Sequence, residues 1–317
     1  MWQTERSDRV SPVRRHLPRP VPRRRWAALP SLERTKRSDH PWTLLLASGE
    51  GRGFGDFSIR LSGKNIPKQF WSLDGSGGML DWAVARAARI SPPDRTLAIV
   101  RTEHLRWSEC ALRAVPTANV ILEPADRGTA PGILLALMHL GHLEPDATVV
   151  LLPCDHHVEG EGMLAEAMGA AAAVAERRPE LVVVLGAAAH TRVPGCPWLV
   201  PGALASTGIA VAKRSALIAL FTATVPDLVA DCVTWSIDGE RSRSALRSLY
   251  ETIPTRDFNR QVLYKAPTSL AVAEIPSCGF TDLGSPGKLS RFLRAQTEPA
   301  TPDFLRRSLG STTRVSA

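Results

Sequence analysis

The sequence predicts an α/β fold in which helices cover both faces of a mostly parallel sheet. Apolar runs with the composition of buried strands alternate with segments of helical spacing through most of the chain. The runs are apolar at successive positions, as expected for strands that are covered on both faces. Turns rich in glycine or polar residues follow several runs directly. Together these observations favour strands joined by crossover helices.

Strand and helix patterns alternate from residue 41 onward. The predicted strands cover residues 43–47, 96–100, 118–122, 147–152 and 181–185. Segments rich in Ala, Leu and Met, with lengths suited to crossovers, cover residues 81–89, 104–114, 130–142 and 162–177. Residues 241–250 have a further helical pattern, and SLAVAEI at 269–275 resembles a strand. Ligands bind at the carboxyl ends of parallel strands, so the turns that follow the strands are the candidate site.

The first predicted strand opens into a glycine-rich turn, SGEGRGFG, at residues 48–55. Glycines at 49, 51, 53 and 55 permit positive φ angles and let backbone amides approach anionic oxygens. Lys68, in the later segment PKQF, is near enough in sequence to add a positive charge. The turn is therefore a predicted phosphate cradle. It lacks the Gly-Lys-Ser/Thr ending of a P-loop, so an ordinary surface loop is the alternative.

Asp155 directly follows the fourth predicted strand, which places a carboxylate at the same edge of the sheet as the glycine-rich turn. Magnesium is bound by one or two carboxylates together with phosphate oxygens, and Asp282 in GFTDLGS is the candidate for the second carboxylate. His156 and His157 adjoin Asp155 and would suit zinc. Adjacent residues at a strand end point apart, so we do not expect the two histidines to be ligands. Asp257 precedes a helical segment and is expected to cap it.

The length of 317 residues with 44% hydrophobic residues suits one large or two modest domains with a sizeable core. No apolar run approaches the length of a membrane helix, and the start of the chain lacks a secretory-signal pattern, so a cytoplasmic protein is expected. The five cysteines are scattered and form no CxxC pair. They predict neither a disulfide framework nor a zinc site, and we expect small buried side chains.

The net charge of +8 is concentrated at the two ends of the chain. Residues 1–40 hold eleven Lys/Arg and four Asp/Glu, and residues 286–317 hold six and two. The remaining 22 basic and 25 acidic residues leave a mildly acidic body. We expect a disordered basic arm over 1–40, a folded domain over 41–293 and a flexible tail over 294–317. The arm suits polyanions such as RNA or anionic lipid, and a solvated extension is the favoured alternative.

Five motifs, in this order, resemble the mannose-1-phosphate guanylyltransferases, a branch of the sugar-nucleotide pyrophosphorylases. They are LASGEGRGF, PKQF, EPADRGTAP, LPCDHHV and GFTDLGS, and the resemblance runs over about residues 42–293. It implies a Rossmann-like nucleotidyltransferase fold. It also implies transfer of GMP from GTP to a hexose 1-phosphate, with mannose 1-phosphate favoured, giving a GDP-sugar and pyrophosphate with Mg²⁺ as cofactor.

The resemblance also implies site residues. Lys68 and Arg52 are expected to stabilise phosphate charge, and Asp155 and Asp282 to hold the metal. Gly49 and Gly51 are expected to wrap the triphosphate, and Ala47 to bind the nucleotide as well. The base and ribose are expected near Glu123, Arg127 and Thr129. On this basis Asp155→Ala is expected to abolish Mg²⁺-dependent activity and to leave folding largely intact. The expected partners are GTP and a sugar 1-phosphate, with a homo-oligomer left open and nucleic acid not expected beyond the basic arm.

Two differences from the family pattern leave a second function open. Arg52 falls one residue earlier than the family arginine, and a strand with a Glu-Lys-Pro motif is missing before GALASTGIAVAK. Lys213 and Arg214 are the nearest substitutes for the missing lysine, although a solvated face is the favoured interpretation of both. Loss of a strand predicts neighbours with unpaired backbone groups. The alternative function is therefore a catalytically impaired, nucleotide-binding relative with an interaction role.

Overall fold

The structure is a computed structural model. It describes residues 40–49, 54–55, 58–59, 66–73, 77–188, 198–200, 204–237 and 243–295. The expected basic arm lies almost entirely outside the described residues, as does most of the expected C-terminal tail.

One large sheet forms the centre of the described chain. In chain order the strands are β1 (Trp42–Leu46), β2 (Thr96–Arg101), β3 (Val120–Glu123), β4 (Thr148–Pro153), β5 (His156–His157), β6 (Val182–Ala188), β7 (Trp198–Val200), β8 (Leu204–Lys213), β9 (Leu270–Glu274) and β10 (Thr281–Asp282). The large sheet has the order β3-β2-β1-β4-β8-β6-β9, with β7 paired to β8, and β5 pairs with β10 separately.

Most neighbouring strands of the large sheet run parallel. The parallel pairs are β3–β2, β2–β1, β1–β4 and β6–β9. β8 runs antiparallel to its neighbours β4, β6 and β7. The prediction of a mostly parallel sheet is therefore confirmed.

The helices cover this sheet on both faces. In chain order they are α1 (Met79–Ala87), α2 (Leu105–Ser108), α3 (Thr129–Leu143), α4 (Glu161–Arg177), α5 (Arg214–Thr224), α6 (Pro226–Ile237), α7 (Arg243–Thr252) and α8 (Pro286–Ala295). Side chains of α3, α5, α6 and α7 enter one apolar cluster, and those of α1 and α4 enter a second.

Successive residues of each strand point to opposite faces of the sheet and enter these two clusters in turn. Leu44 and Leu151 lie in the first cluster, whereas Leu45 and Leu152 lie in the second. Burial on both faces explains why the strands are continuously apolar.

The predicted helix at 104–114 is shorter than expected. Regular α-helix covers only Leu105–Ser108, and the residues that follow form turns. Leu112 and Val115 nevertheless pack in the second cluster, which accounts for the helix-like apolar spacing of this segment. The other predicted strands and helices are confirmed to within a few residues at their ends.

The strands around the missing Glu-Lys-Pro segment pair with each other. Trp198 is in register with Ala205, and Val200 with Leu204. β8 is also paired with β4 on one side and with β6 on the other. The expectation that the loss of a strand leaves its neighbours unpaired is therefore wrong for β8, because β4, β6 and β7 supply its partners.

The described cysteines carry free thiols. Cys154, Cys232 and Cys278 are buried, as expected, whereas Cys110 is exposed. Cys196 lies outside the described residues. Among the described helices, no single one is long and apolar enough to cross a membrane; α5 and most of α6 together have the length and composition but are bent by 117°.

Candidate functional site

The turn after β1 is tied to the PKQF segment at the carboxyl edge of the sheet. Gln69 is buried, and its Nε2 donates hydrogen bonds to the carbonyl oxygens of Ala47 (3.0 Å) and Gly49 (3.2 Å). Gly49 itself is exposed, with open space where a side chain would begin, and its φ is not positive. Gln69 thus fixes the start of the glycine-rich turn. Gly51 and Arg52 lie outside the described residues.

Lys68 forms an ion pair with Asp155, which follows β4. The Lys68 Nζ donates to Asp155 Oδ2 at 2.5 Å, and the two side chains are 9% and 22% exposed. Burial opposes ionisation of Asp155, but the Lys68 ammonium outweighs it and holds the pKa of the carboxyl well below its usual range. Burial also acts to lower the pKa of Lys68, and Asp155 more than offsets it, so that pKa is raised. Both groups are therefore charged at neutral pH.

Asp155 and Asp282 are distant in the sequence but lie together in the structure. β10 pairs antiparallel with β5, which places Asp282 opposite His156, and Leu283 N donates to the Asp155 carbonyl oxygen at 2.9 Å. A Cβ atom built on Gly284 would be 2.7 Å from Asp282 Oδ1 and 3.1 Å from Asp155 Oδ2. Both carboxylates therefore approach Gly284 closely, and its backbone N donates to Asp282 Oδ1 at 2.6 Å. Two carboxylates that approach one position suit a Mg²⁺ ion that is also bound by phosphate oxygens.

A second lysine contacts the second carboxylate. Lys288, in the first turn of α8, donates from Nζ to Asp282 Oδ2 at 2.5 Å. Its side chain is 9% exposed and that of Asp282 is 28% exposed. Sequence reasoning missed Lys288. The available signal was its position four residues before Phe292, which puts it on the apolar side of an amphipathic helix.

A third apolar cluster lies beside these two ion pairs. It joins Phe54, Trp71 and Leu73 from the segments after β1 to Met79 of α1 and to side chains in and before α8, namely Leu283, Leu289 and Leu293. The Phe54 and Trp71 rings form a T-shaped pair, and Lys68 Nζ lies 5.1 Å from the Phe54 ring centre. This packing holds α8 and the Lys68 segment at fixed positions around the carboxylates.

His156 and His157 pack on aromatic side chains. The His156 ring lies 4.7 Å from that of Phe280, and the His157 ring lies 4.6 Å from that of Phe292. Burial lowers the pKa of His156, which favours the neutral imidazole. Among the described residues, no group of three or more His, Cys, Asp or Glu side chains is arranged to hold a metal.

Glu123, at the end of β3, is buried and hydrogen-bonded to Tyr250 of α7. The Tyr250 hydroxyl donates to Glu123 Oε1 at 2.6 Å, and Ser48 in the glycine-rich turn bonds to the same carboxyl. Burial raises the pKa of Glu123 to about 7. The structure thus brings Glu123 to the turn after β1, where its carboxyl is hydrogen-bonded to Tyr250 and Ser48. Tyr250 is a second residue that sequence reasoning missed.

Arg127 and Thr129 contact the chain at the end of α7 and beyond it. Arg127 Nε donates to the Tyr250 carbonyl oxygen at 2.5 Å, and Thr129 Oγ1 accepts from Phe258 N at 2.9 Å. Gly128 has a φ of 78°, and a Cβ there would lie 2.3 Å from the Arg256 carbonyl oxygen. These contacts fix the EPADRGTAP segment, and the nucleotide-binding roles of Arg127 and Thr129 stay predictions.

Asp257 caps a helical segment, as the sequence predicts. Its Oδ1 accepts from Arg260 N at 2.8 Å, at the start of the π-helical segment Phe258–Val262. A side-chain oxygen in this position satisfies one of the free backbone amides at the start of a helix.

Lys213 and Arg214 lie at the other end of the sheet. Lys213 is in register with Thr148, at the amino end of β4, whereas Asp155 follows the carboxyl end. Lys213 Nζ is bonded to Glu176 Oε1 at 2.6 Å, and Arg214 Nε donates to the Leu137 carbonyl oxygen. Neither residue can therefore replace a site lysine. The expectation that Lys213 lies on a solvated face is also wrong. Lys213 is buried because Glu176 on α4 supplies a carboxylate partner.

Comparison with known proteins supports the predicted resemblance over part of the chain. No protein-family model matches. The chain is 29% identical over 144 residues to mannose-1-phosphate guanylyltransferase 2 of Escherichia coli O157:H7, covering 44% of this chain and 29% of the relative. It is 31% identical over 119 residues to the alginate biosynthesis protein AlgA of Pseudomonas aeruginosa, covering 37% of this chain and 24% of that relative. The chain thus matches about a quarter of the length of these curated relatives.

Solved structures support the fold over most of the chain. The crystal structure named mannose-1-phosphate geranyltransferase from Thermus thermophilus superposes with a TM-score of 0.64 and 21% identity, covering 81% of this chain and 79% of that one. The structure of mannose-6-phosphate isomerase from Helicobacter pylori superposes with a TM-score of 0.57 and 13% identity, covering 76% of this chain and 100% of that one. The chain therefore has the Rossmann-like nucleotidyltransferase fold. The partial matches to the curated relatives confirm the predicted resemblance to the mannose-1-phosphate guanylyltransferases.

Proposed function

We propose that the protein is a sugar-phosphate nucleotidyltransferase, which transfers GMP from GTP to mannose 1-phosphate and releases pyrophosphate. The observation that carries this proposal is the pair Asp155 and Asp282 beside Gly284, with Lys68 bonded to Asp155. Two carboxylates and a buried ammonium at the carboxyl edge of a parallel sheet suit the binding of phosphates. The similarity to curated guanylyltransferases favours GTP as the donor and mannose 1-phosphate as the acceptor.

In this proposal catalysis is positioning together with charge stabilisation. An oxygen of the sugar phosphate attacks the α-phosphorus of GTP and the bond to pyrophosphate breaks, with no covalent intermediate on the protein. Asp155 and Asp282 would hold a Mg²⁺ ion, which neutralises phosphate charge. Lys68 contributes a positive charge beside the carboxylates, where its ammonium contacts Asp155 and lies 5.1 Å from the Phe54 ring centre.

The base and ribose are proposed to lie between the turn after β1 and Glu123. Ser48 joins these two segments through its bond to the Glu123 carboxyl. Arg127 and Thr129 act here by holding the EPADRGTAP segment against residues 250–258. Tyr250 belongs to the same arrangement, since it bonds to Glu123 through its hydroxyl and to Arg127 through its carbonyl oxygen.

Pyrophosphate release tests this function. Purified protein is given GTP, Mg²⁺ and mannose 1-phosphate, with a parallel GTP titration by calorimetry and with each substrate omitted in turn. We expect release that requires both substrates. ATP, CTP and UTP as donors, and glucose 1-phosphate as acceptor, serve as matched controls.

Two outcomes would contradict the proposal in different ways. GTP binding without turnover for any acceptor would identify a nucleotide-binding relative that has lost catalysis. Absence of both binding and turnover would show that the fold is retained without the chemistry.

A further inference from the structure

The two carboxylates of the candidate site are paired with the ammonium groups of two lysines. Lys68 pairs with Asp155 and Lys288 pairs with Asp282, each at 2.5 Å from nitrogen to oxygen. Both carboxylates lie close to Gly284. The four side chains therefore form a charge-balanced cluster around one position.

A purely structural role explains Lys288 poorly. Its side chain is 9% exposed and adjoins Leu289 in the helix that packs on the third apolar cluster. Lysine is almost never buried in this way unless it is paired, and a buried pair often stabilises a protein no better than packed apolar side chains. A methionine of similar length would suit the packing without the cost of removing an ammonium from water.

The chemistry of the cluster indicates what the second ammonium could bind. A cation held by both carboxylates would compete with both lysines for their oxygens. Lysine has a flexible stem and three donors, so a released ammonium can turn to a nearby anion while its stem stays packed. Phosphate oxygens are the anions that accompany a divalent cation in such a site.

We propose that Lys288 is a phosphate-binding residue, whose ammonium leaves Asp282 to contact a bound polyphosphate. The inference rests on the proposed function, because that function brings a triphosphate to these carboxylates and leaves pyrophosphate there. Lys288 and Lys68 then approach the phosphate chain from two elements, one from α8 and the other from the PKQF segment. Without a ligand, each aspartate keeps one of these lysines in place.

Binding of inorganic pyrophosphate, measured by calorimetry with and without Mg²⁺, tests the role of Lys288. We compare the unmodified protein with Lys288→Met and with Arg291→Met. Arg291 is exposed on the same helix, so this control removes the same charge from α8 without touching the cluster. We expect Lys288→Met to weaken pyrophosphate binding by about 10-fold, the loss expected for one charge-assisted hydrogen bond, and Arg291→Met by less than about 2-fold.

Binding of Mg²⁺ alone supplies the second readout. Lys288→Met frees Asp282 from its partner, so we expect tighter Mg²⁺ binding while pyrophosphate binding weakens. A merely structural ion pair would move the two affinities in the same direction. Lys288→Arg keeps the charge and should retain pyrophosphate affinity within about 3-fold. Thermal unfolding of each variant identifies any loss of folding, in which case Lys288→Gln replaces the methionine variant.

Equal pyrophosphate affinity in Lys288→Met and the unmodified protein would overturn the proposal, as would failure of the unmodified protein to bind pyrophosphate. Pyrophosphate binding that depends on Lys288, without any transfer from GTP, would support this role while contradicting the proposed function.

Discussion

The Lys68 ammonium donates a hydrogen bond to the Asp155 carboxylate across 87 positions of the sequence. The bond joins the segment after the glycine-rich turn to the end of β4. The Lys68 side chain is 9% exposed, so its charge depends on this partner. The contact therefore couples the candidate catalytic chemistry to the stability of the fold.

Removal of Asp155 should destabilise the protein as well as abolish Mg²⁺-dependent activity. The sequence alone predicts that Asp155→Ala leaves folding largely intact. In the structure, however, this substitution removes the partner of the buried Lys68 ammonium. We expect a loss of about 3 kcal/mol in the free energy of unfolding, measured by chemical denaturation at pH 7. The double variant Lys68→Met/Asp155→Ala should lose less than the sum of the single variants.

The matched control for this cycle is the exposed pair of Arg178 and Glu180, with side chains 39% and 56% exposed. Its coupling should be below about 1 kcal/mol. Additive effects of Lys68→Met and Asp155→Ala would show that the buried pair contributes no coupling.

Gly284→Ala should weaken cation binding with little effect on folding. The new methyl group would lie 2.7 Å from Asp282 Oδ1 and 3.1 Å from Asp155 Oδ2, so the carboxylates must move apart. We expect Mg²⁺ affinity to fall by about 10-fold or more, as for a loss of about 1.4 kcal/mol, measured by calorimetry. Gly287→Ala is the control, because a Cβ there meets nothing within 4 Å. Equal Mg²⁺ affinity in both variants would contradict a cation site beside Gly284.

Titration of Glu123 should lower the free energy of unfolding as the pH rises from about 4.5 to about 7. Burial raises its pKa to about 7 from its ordinary value of 4.5. Between these values the folded state binds a proton that the unfolded state has released, so the free energy of unfolding falls with rising pH. Over this interval the Glu123 titration lowers the free energy of unfolding by an amount on the order of 3 kcal/mol.

Glu123→Gln removes this titration and keeps an acceptor for the Tyr250 hydroxyl. Chemical denaturation at several pH values across the interval from 4.5 to about 7 should show a shallower decline in this variant. The same slope in both proteins would mean that Glu123 titrates normally.

Gly128→Ala should be strongly destabilising. The residue has a φ of 78°, and its new Cβ would lie 2.3 Å from the Arg256 carbonyl oxygen, a clash with backbone. We expect a loss of about 2 kcal/mol or more in the free energy of unfolding, measured by chemical denaturation. Gly162→Ala in α4 has open space and should gain about 0.5 kcal/mol. A destabilisation of equal size in both variants would contradict this account of Gly128.

Much of the fold was predictable because hydrophobic periodicity is a local property. Strands β1, β2 and β4 and helices α3 and α4 each carry their pattern within a single segment. The antiparallel placement of β8 between β4 and β6 was not predicted, since pairing partners depend on contacts between distant segments. The same limit applies to the short α2, where turns replace the predicted helix.

The candidate site divides in the same way. By itself the sequence determined the types of group at the strand ends, including Lys68, Asp155 and Asp282, because each lies in a short recognisable motif. Only the tertiary structure decided that Lys288 and Tyr250 join the site and that Lys213 does not. The physical reason is that ion pairs and buried hydrogen bonds form between side chains brought together by packing, and sequence separation does not encode that distance.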